Sequence, residues 1–201
     1  FGGNAELTYG DYNEQRIAGS ITGPIVEDKL GFRLFAASAK RDGFIDAINA
    51  TGGRTDFNTR DVWTVRGQLA WNISEDADLR IIADYSKRDE LCCGAKIYNP
   101  GRLNGATNAT FPPAVSAAVA SLGGYGPQGV AALGNGDIGD RFGFSNRMPV
   151  QKIEDKGISA ELNWNLGGVT LTSVTAYRNW EFDQGQDSDF SAADIWYRPG
   201  D

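Results

Sequence analysis

Val62-Trp63-Thr64-Val65-Arg66-Gly67-Gln68-Leu69-Ala70-Trp71-Asn72-Ile73 is the stretch that decides the fold. One parity reads Trp63, Val65, Gly67, Leu69, Trp71, Ile73; the other reads Val62, Thr64, Arg66, Gln68, Ala70, Asn72. Side chains alternate between the two faces of a strand, so a period of two places a greasy set on one face and a mostly polar set on the other. The polar turn Ser74-Glu75-Asp76-Ala77 follows, and the next run repeats the code with Leu79, Ile81, Ala83 and Tyr85 opposite Arg80, Ile82, Asp84 and Ser86. Two alternating runs around a short polar turn predict a β-hairpin.

Outward from this hairpin the same code recurs. Ile158, Ala160, Leu162, Trp164 and Leu166 alternate with Ser159, Glu161, Asn163 and Asn165, and Gly167-Gly168 turns the chain into the run 169–177. Nearer the start, 5–10, 15–25 and 30–40 read as strands, the last two joined by Val26-Glu27-Asp28-Lys29. The expected strands are therefore about 5–10, 15–25, 30–40, 62–73, 78–88, 156–166 and 169–180, within a single β domain over 1–201. Tight connections alternate with long ones at 42–61 and 91–155, the habit of outer-membrane barrels, whose periplasmic turns are short and external loops long. The 91–155 segment is rich in Gly, Pro and Asn, and Pro112-Pro113 before Ala114 to Leu122 and Gly123-Gly124 predicts a short helix inside it.

Composition removes several function classes. Among 201 residues, 41% are hydrophobic and 22% charged, as in folded rather than disordered chains. A net charge of −7 lacks the basic footprint of a nucleic-acid binder. Zero histidines remove Ser-His and Cys-His dyads and His-ligated zinc, so the chain is expected not to be an enzyme, with no catalytic residues and no cofactor. No run approaches the ~20 apolar residues of a membrane helix, so a membrane would be met by strands.

Alternation is shared by soluble sandwiches and membrane barrels, and a soluble β-sandwich that binds carbohydrate is the alternative reading. Aromatic placement separates the two. Trp63 and Trp71 share the apolar parity, and at ~3.3 Å per residue with a tilt near 45° they stand roughly 19 Å apart along the membrane normal. That approaches the apolar band, about 25 Å tall, between two aromatic girdles. Trp63, Trp71, Tyr85 and Trp164 are the expected girdle residues, while Arg66, Gln68, Arg80, Asp84, Glu161 and Asn163 are expected to face a polar lumen.

The ordered series Leu7-Thr8-Tyr9-Gly10, Gly19-Ser20-Ile21-Thr22-Gly23-Pro24-Ile25 and Leu30-Gly31-Phe32-Arg33-Leu34, running into Lys40-Arg41-Asp42-Gly43-Phe44, resembles the start of the barrel in TonB-dependent outer-membrane receptors. Val65-Arg66-Gly67-Gln68-Leu69, Asp84-Tyr85-Ser86-Lys87-Arg88-Asp89-Glu90 and Leu171-Thr172-Ser173-Val174-Thr175-Ala176-Tyr177-Arg178 continue the likeness in order. The resemblance implies an antiparallel up-and-down transmembrane barrel of about 22 strands, plugged by an N-terminal domain, that imports a scarce nutrient with energy relayed by TonB. A ferric siderophore is the implied cargo, and the bacterial outer membrane the implied location. The implied partners are outer-membrane lipid, the plug and the remaining strands, TonB through other sequence, and the small-molecule ligand. Because no plug, TonB-contacting box or signal peptide is recognisable and about seven strands are read, the chain is expected to be an internal stretch of such a receptor.

Two local features stand out. Cys92-Cys93 are adjacent and are the sole cysteines, open to a vicinal disulfide, to free thiols or to partners elsewhere. Two thiolates leave a zinc site half built, so no metal is expected there. The stretch 181–201 carries Glu181, Asp183, Asp187, Asp189, Asp194 and Asp201 against Arg198 alone. Asp183, Asp187 and Asp189 offer oxygen ligands for Ca²⁺ without the EF-hand glycine and glutamate, and a solvated loop is the default. Asn49-Ala50-Thr51 and Asn108-Ala109-Thr110 match the glycosylation pattern by chance in a bacterial setting.

Overall fold

The computed structural model describes residues 1–95, 121–124 and 141–200. Its strands are β1 (Gly2–Gly10), β2 (Glu14–Val26), β3 (Leu30–Arg41), β4 (Ile45–Ile48), β5 (Arg54–Phe57), β6 (Arg60–Ser74), β7 (Ala77–Leu91), β8 (Phe142–Phe144), β9 (Val150–Asn165), β10 (Thr170–Gln184), β11 (Gln186–Asp187) and β12 (Tyr197–Arg198). Most of the expected helix, and Asn108, lie outside the described residues. β1 begins ahead of residue 5, and β9 begins at Val150, inside the expected 91–155 loop. The short strands β4, β5 and β8 lie in segments that read as loops, because runs of three or four residues are too short to display a period.

The chain divides into two compact units. Unit 1 (Phe1–Arg41, Asp61–Asp89, Lys152–Phe182) is built on one antiparallel sheet in the order β1-β2-β3-β6-β7-β9-β10. That order is an up-and-down meander, with β1 and β10 as open edges. Short turns make it so. Asp11 and Glu14 close the β1–β2 turn (N–H to O, 3.3 Å) with Tyr12 and Asn13 both at positive φ, the primed geometry whose twist suits a hairpin. At the other end of the sheet the 26–29, 74–77 and 167–168 turns lie along one side: the Asn72 N–H donates to Lys29 O at 2.8 Å and the Asn165 N–H to Asp76 O at 2.8 Å. Gly167, at φ 91°, takes a conformation that a side chain would strain.

Register turns the sequence parity into faces. Along β6 and β7, Trp71 sits opposite Leu79, Leu69 opposite Ile81, Gly67 opposite Ala83 and Val65 opposite Tyr85, so the apolar set is shared across the pair. Along β1, β2 and β3, Leu7 opposes Ile17 and Ile21 opposes Leu34 on an equivalent apolar parity. Leu7 is 79% exposed, Ile17 60% and Trp71 45%, and Ala18 is the one buried apolar residue of unit 1 among the described residues. A sandwich would lay a second sheet about 10 Å from one face and bury one of the two sets. Among the described residues unit 1 holds a single sheet, and its apolar side chains other than Ala18 are exposed or half-buried. At roughly 25 cal/mol per Å² of apolar surface, an apolar face of this extent is unfavourable in water and at home in hydrocarbon.

Unit 2 (Asp42–Arg60, Glu90–Gln151, Asp183–Asp201) is built differently. β4 pairs with β5 antiparallel and with β8 in parallel, and β11 pairs with β12. It has a small core of Ala47, Ile48, Phe57, Phe144, Ala192 and Ala193, into which Ser145, Asp187 and Ser191 are also buried.

Candidate functional site

The polar parity of the unit 1 sheet converges on a network of charges. Arg66 of β6 faces Asp84 of β7, and Arg80 lies opposite Ala70, whose small side chain leaves room. The Arg80 guanidinium donates to Glu161 Oε2 of β9 at 2.7 Å. Asn163 donates from Nδ2 to Glu161 Oε1 at 3.4 Å and to Asp78 Oδ2 at 3.2 Å, and accepts from the Thr172 hydroxyl of β10 at 2.9 Å. Higher on the same face Arg178 of β10 donates to Asp155 of β9 at 2.5 Å and to Asp84 of β7 at 2.9 Å. Glu6 and Arg16 form a separate pair across β1 and β2 at 2.6 Å.

Five of the six residues expected to face a lumen, Arg66, Arg80, Asp84, Glu161 and Asn163, are thus brought to one side of β6, β7 and β9, and Gln68 shares their parity opposite Ile82. Arg178 and Asp155 went unread. β10 has no clean alternation, because the parity of Arg178 also carries Val174, Ala176 and Trp180, so the sequence does not say which way Arg178 turns. These pairs are solvent-exposed and add little to stability in water. Chemically they make a fixed, ordered surface of donors and acceptors across three strands.

The opposite parity carries the aromatics. The Trp63 and Tyr85 rings lie 4.9 Å apart, a diagonal cross-strand contact, and Trp63, Trp71 and Trp164 are all exposed. Trp180 and Phe182 stack at 5.3 Å on the Arg178 parity of β10.

In unit 2, Cys92 and Cys93 are joined by a disulfide, with Cys93 at φ 74°. The buried Asp187 carboxylate accepts the Ser145 hydroxyl at 2.6 Å and the Asn146 N–H at 3.0 Å on Oδ2. Burial pushes its pKa above the ordinary aspartate value, against the pull of the Ser145 bond. Arg147 bonds Asp194 at 2.8 Å and lies over the Tyr197 ring at 4.8 Å. That bond holds the Asp194 carboxyl below its usual range and raises the arginine. Asp189 accepts from the Ser191 N–H and hydroxyl and from the Trp196 N–H. Asp189 therefore spends both oxygens on the protein, whereas Asp187 spends Oδ2 and keeps Oδ1 buried without a hydrogen bond; among the described residues no three Cys, Asp or Glu side chains gather as metal ligands.

No protein-family model matches the chain, and no curated protein matches it. Solved structures do. The structure of the FpvAI-pyocin S2 complex matches at 16% identity with a TM-score of 0.56, covering 91% of this chain and 20% of that one. The siderophore receptor PirA from Acinetobacter baumannii matches at 13% identity with a TM-score of 0.51, over 90% of this chain and 21% of that one. The chain spans about a fifth of the length of the structures it matches. Identity at this level carries the fold: the all-β, antiparallel sheet of outer-membrane barrel receptors.

Proposed function

We propose that this chain is part of the wall of a TonB-dependent receptor in a bacterial outer membrane, which binds a ferric siderophore and imports it with energy from the inner membrane. The observation that carries the reading is the single antiparallel sheet whose apolar parity is exposed across adjacent strands while the other parity is tied into an ionic network. In this reading Trp63, Trp71, Tyr85 and Trp164 sit at the membrane girdles and meet lipid. Arg66, Gln68, Arg80, Asp84, Glu161 and Asn163 face a lumen filled by a plug and water. The open edges β1 and β10 pair with further strands, since each unpaired backbone group in hydrocarbon costs several kcal/mol. Siderophore cargo is supported by the fold shared with PirA, a siderophore receptor.

Fluorescence of Trp71 and Trp164 in membranes containing brominated acyl chains tests the placement. Quenching by bromine with protection from aqueous iodide is expected. Iodide quenching without bromine quenching would remove the barrel. Cargo is tested by growth of a deletion strain on single ferric siderophores, with and without TonB; growth indifferent to both would remove the transport role.

A further inference from the structure

Cys92 and Cys93 sit where four segments of unit 2 meet. Leu91 O accepts the Asn58 N–H at 2.7 Å and the Thr59 N–H at 3.1 Å, and the Leu91 N–H returns to Thr59 Oγ1 at 2.9 Å. The Asn58 side-chain amide pairs with both backbone groups of Gly94, each at 3.1 Å. The Cys92 N–H donates to Pro149 O at 2.7 Å, the Gly185 N–H to Val150 O at 2.8 Å, and Gln184 Nε2 to Cys93 Sγ at 3.5 Å. A Cβ on Gly94 would lie 2.7 Å from the Phe57 side chain, so position 94 is pressed against that ring.

Both residues at the centre of this junction hold left-handed backbone without being glycine: Asn58 at φ 63° and Cys93 at φ 74°. Asparagine tolerates that region; cysteine has no local hydrogen bond to favour it. The ring that ties Cys93 to Cys92 supplies the restraint, and the Gly94–Asn58 pair depends on it, because returning Cys93 to negative φ swings the 93–94 peptide away from the Asn58 amide.

The two sulfurs are not equivalent. Cys93 lines a small cavity with Phe57, Phe144, Phe190 and the buried Ser145 and Asp187, and Cys92 does not. The Gln184 N–H aimed at Cys93 Sγ is the one hydrogen bond either sulfur receives among the described residues, so a thiolate developing on Cys93 is stabilised by a donor that Cys92 lacks.

We propose that the Cys92–Cys93 disulfide is a reducible latch of the loop unit, opened by a thiol reductant that attacks Cys92 Sγ and expels Cys93 Sγ. The reductant's thiolate bonds to Cys92 Sγ, the Cys92–Cys93 bond breaks, and the electron pair leaves on Cys93 Sγ, which then takes a proton from water. A second thiol of the reductant displaces Cys92 Sγ. Two electrons have passed to the pair, leaving two cysteine thiols and an oxidised disulfide reductant. Segments 91–94 and 57–59 then part. The inference goes beyond the receptor reading and stands without it.

The test uses the full chain. Alkylation without reductant should label neither cysteine; labelling of both would overturn the proposal at its first step. A short pulse of 2-mercaptoethanol followed by acid quench should leave the mixed disulfide on Cys92, read by peptide fragmentation; an adduct on Cys93, or an even split, overturns the assigned direction. Gln184→Leu should slow reduction by roughly tenfold, the loss of one hydrogen bond to a charged atom. Dithiothreitol should expose residues 57–59 and 92–95 to protease while the seven-stranded sheet stays intact. The doubly substituted Cys92→Ser, Cys93→Ser protein should be cleaved there without reductant. Unchanged resistance in both would end the latch.

Discussion

Arg178 and Asp84, 94 positions apart in the chain, are joined across an intervening strand: the guanidinium leaves β10, passes over β9 and meets the β7 carboxylate at 2.9 Å. Gly157 leaves room for it on β9. A Cβ at that position would stand 3.2 Å from the Arg178 guanidinium, closer than ordinary contact. Three strands are thereby tied by one side chain, since Arg178 also holds Asp155 of β9.

Asp84→Asn should lower the urea midpoint of the inserted protein slightly, Arg178→Gln somewhat more because it also releases Asp155, and the double variant should be little worse than Arg178→Gln alone, since the Asp84 interaction is already gone there. Gly157→Leu should lower it too, by pushing the guanidinium aside, and should add almost nothing in an Arg178→Gln background. Independent, additive effects in the urea titrations would show that the three residues do not act together.

Leu69 and Gln68 are neighbours on β6 with opposite parity, which makes them a paired probe of the faces. Leu69→Arg should destabilise the inserted protein by about 1–2 kcal/mol, the cost of a lipid-facing arginine between the bilayer midplane and the Trp71 girdle. Gln68→Arg should change stability far less, since its parity already carries Arg66 and Arg80. Equal costs in a folding titration into bilayers, or a reversed order, would invert the assignment of the two faces.

Asp187 and Asp194 should give the 186–198 segment opposite pH responses. Asp194 is lowered by its bond to Arg147, so its contribution is present above the ordinary aspartate pKa and lost as pH falls through its depressed value. Asp187 is raised by burial, so its contribution is full below the ordinary value and lost as pH rises through its elevated one. Asp194→Asn should remove the loss at the acid extreme, and Asp187→Asn, which still accepts the Ser145 hydroxyl, should remove the loss above it. Denaturant midpoints from Trp196 fluorescence across pH report both; profiles untouched by either substitution would contradict the paired signs.

The sequence by itself determined the strand class and the two faces wherever alternation was clean. In 62–73, 79–85 and 158–166 a period of two is a local property, and the register of β6 against β7 adds only that the two greasy sets coincide. Tertiary structure decided what no local period contains. β3 lies beside β6 because β4 and β5 leave the sheet, and β4 pairs in parallel with β8 from a segment far along the chain. The face of β10 was settled by Arg178 finding Asp84 and Asp155, and its own mixed parity could not have chosen it. Backbone periodicity is written within a few residues; strand neighbours and ion pairs are selected by which distant segments can satisfy one another's hydrogen bonds and charges.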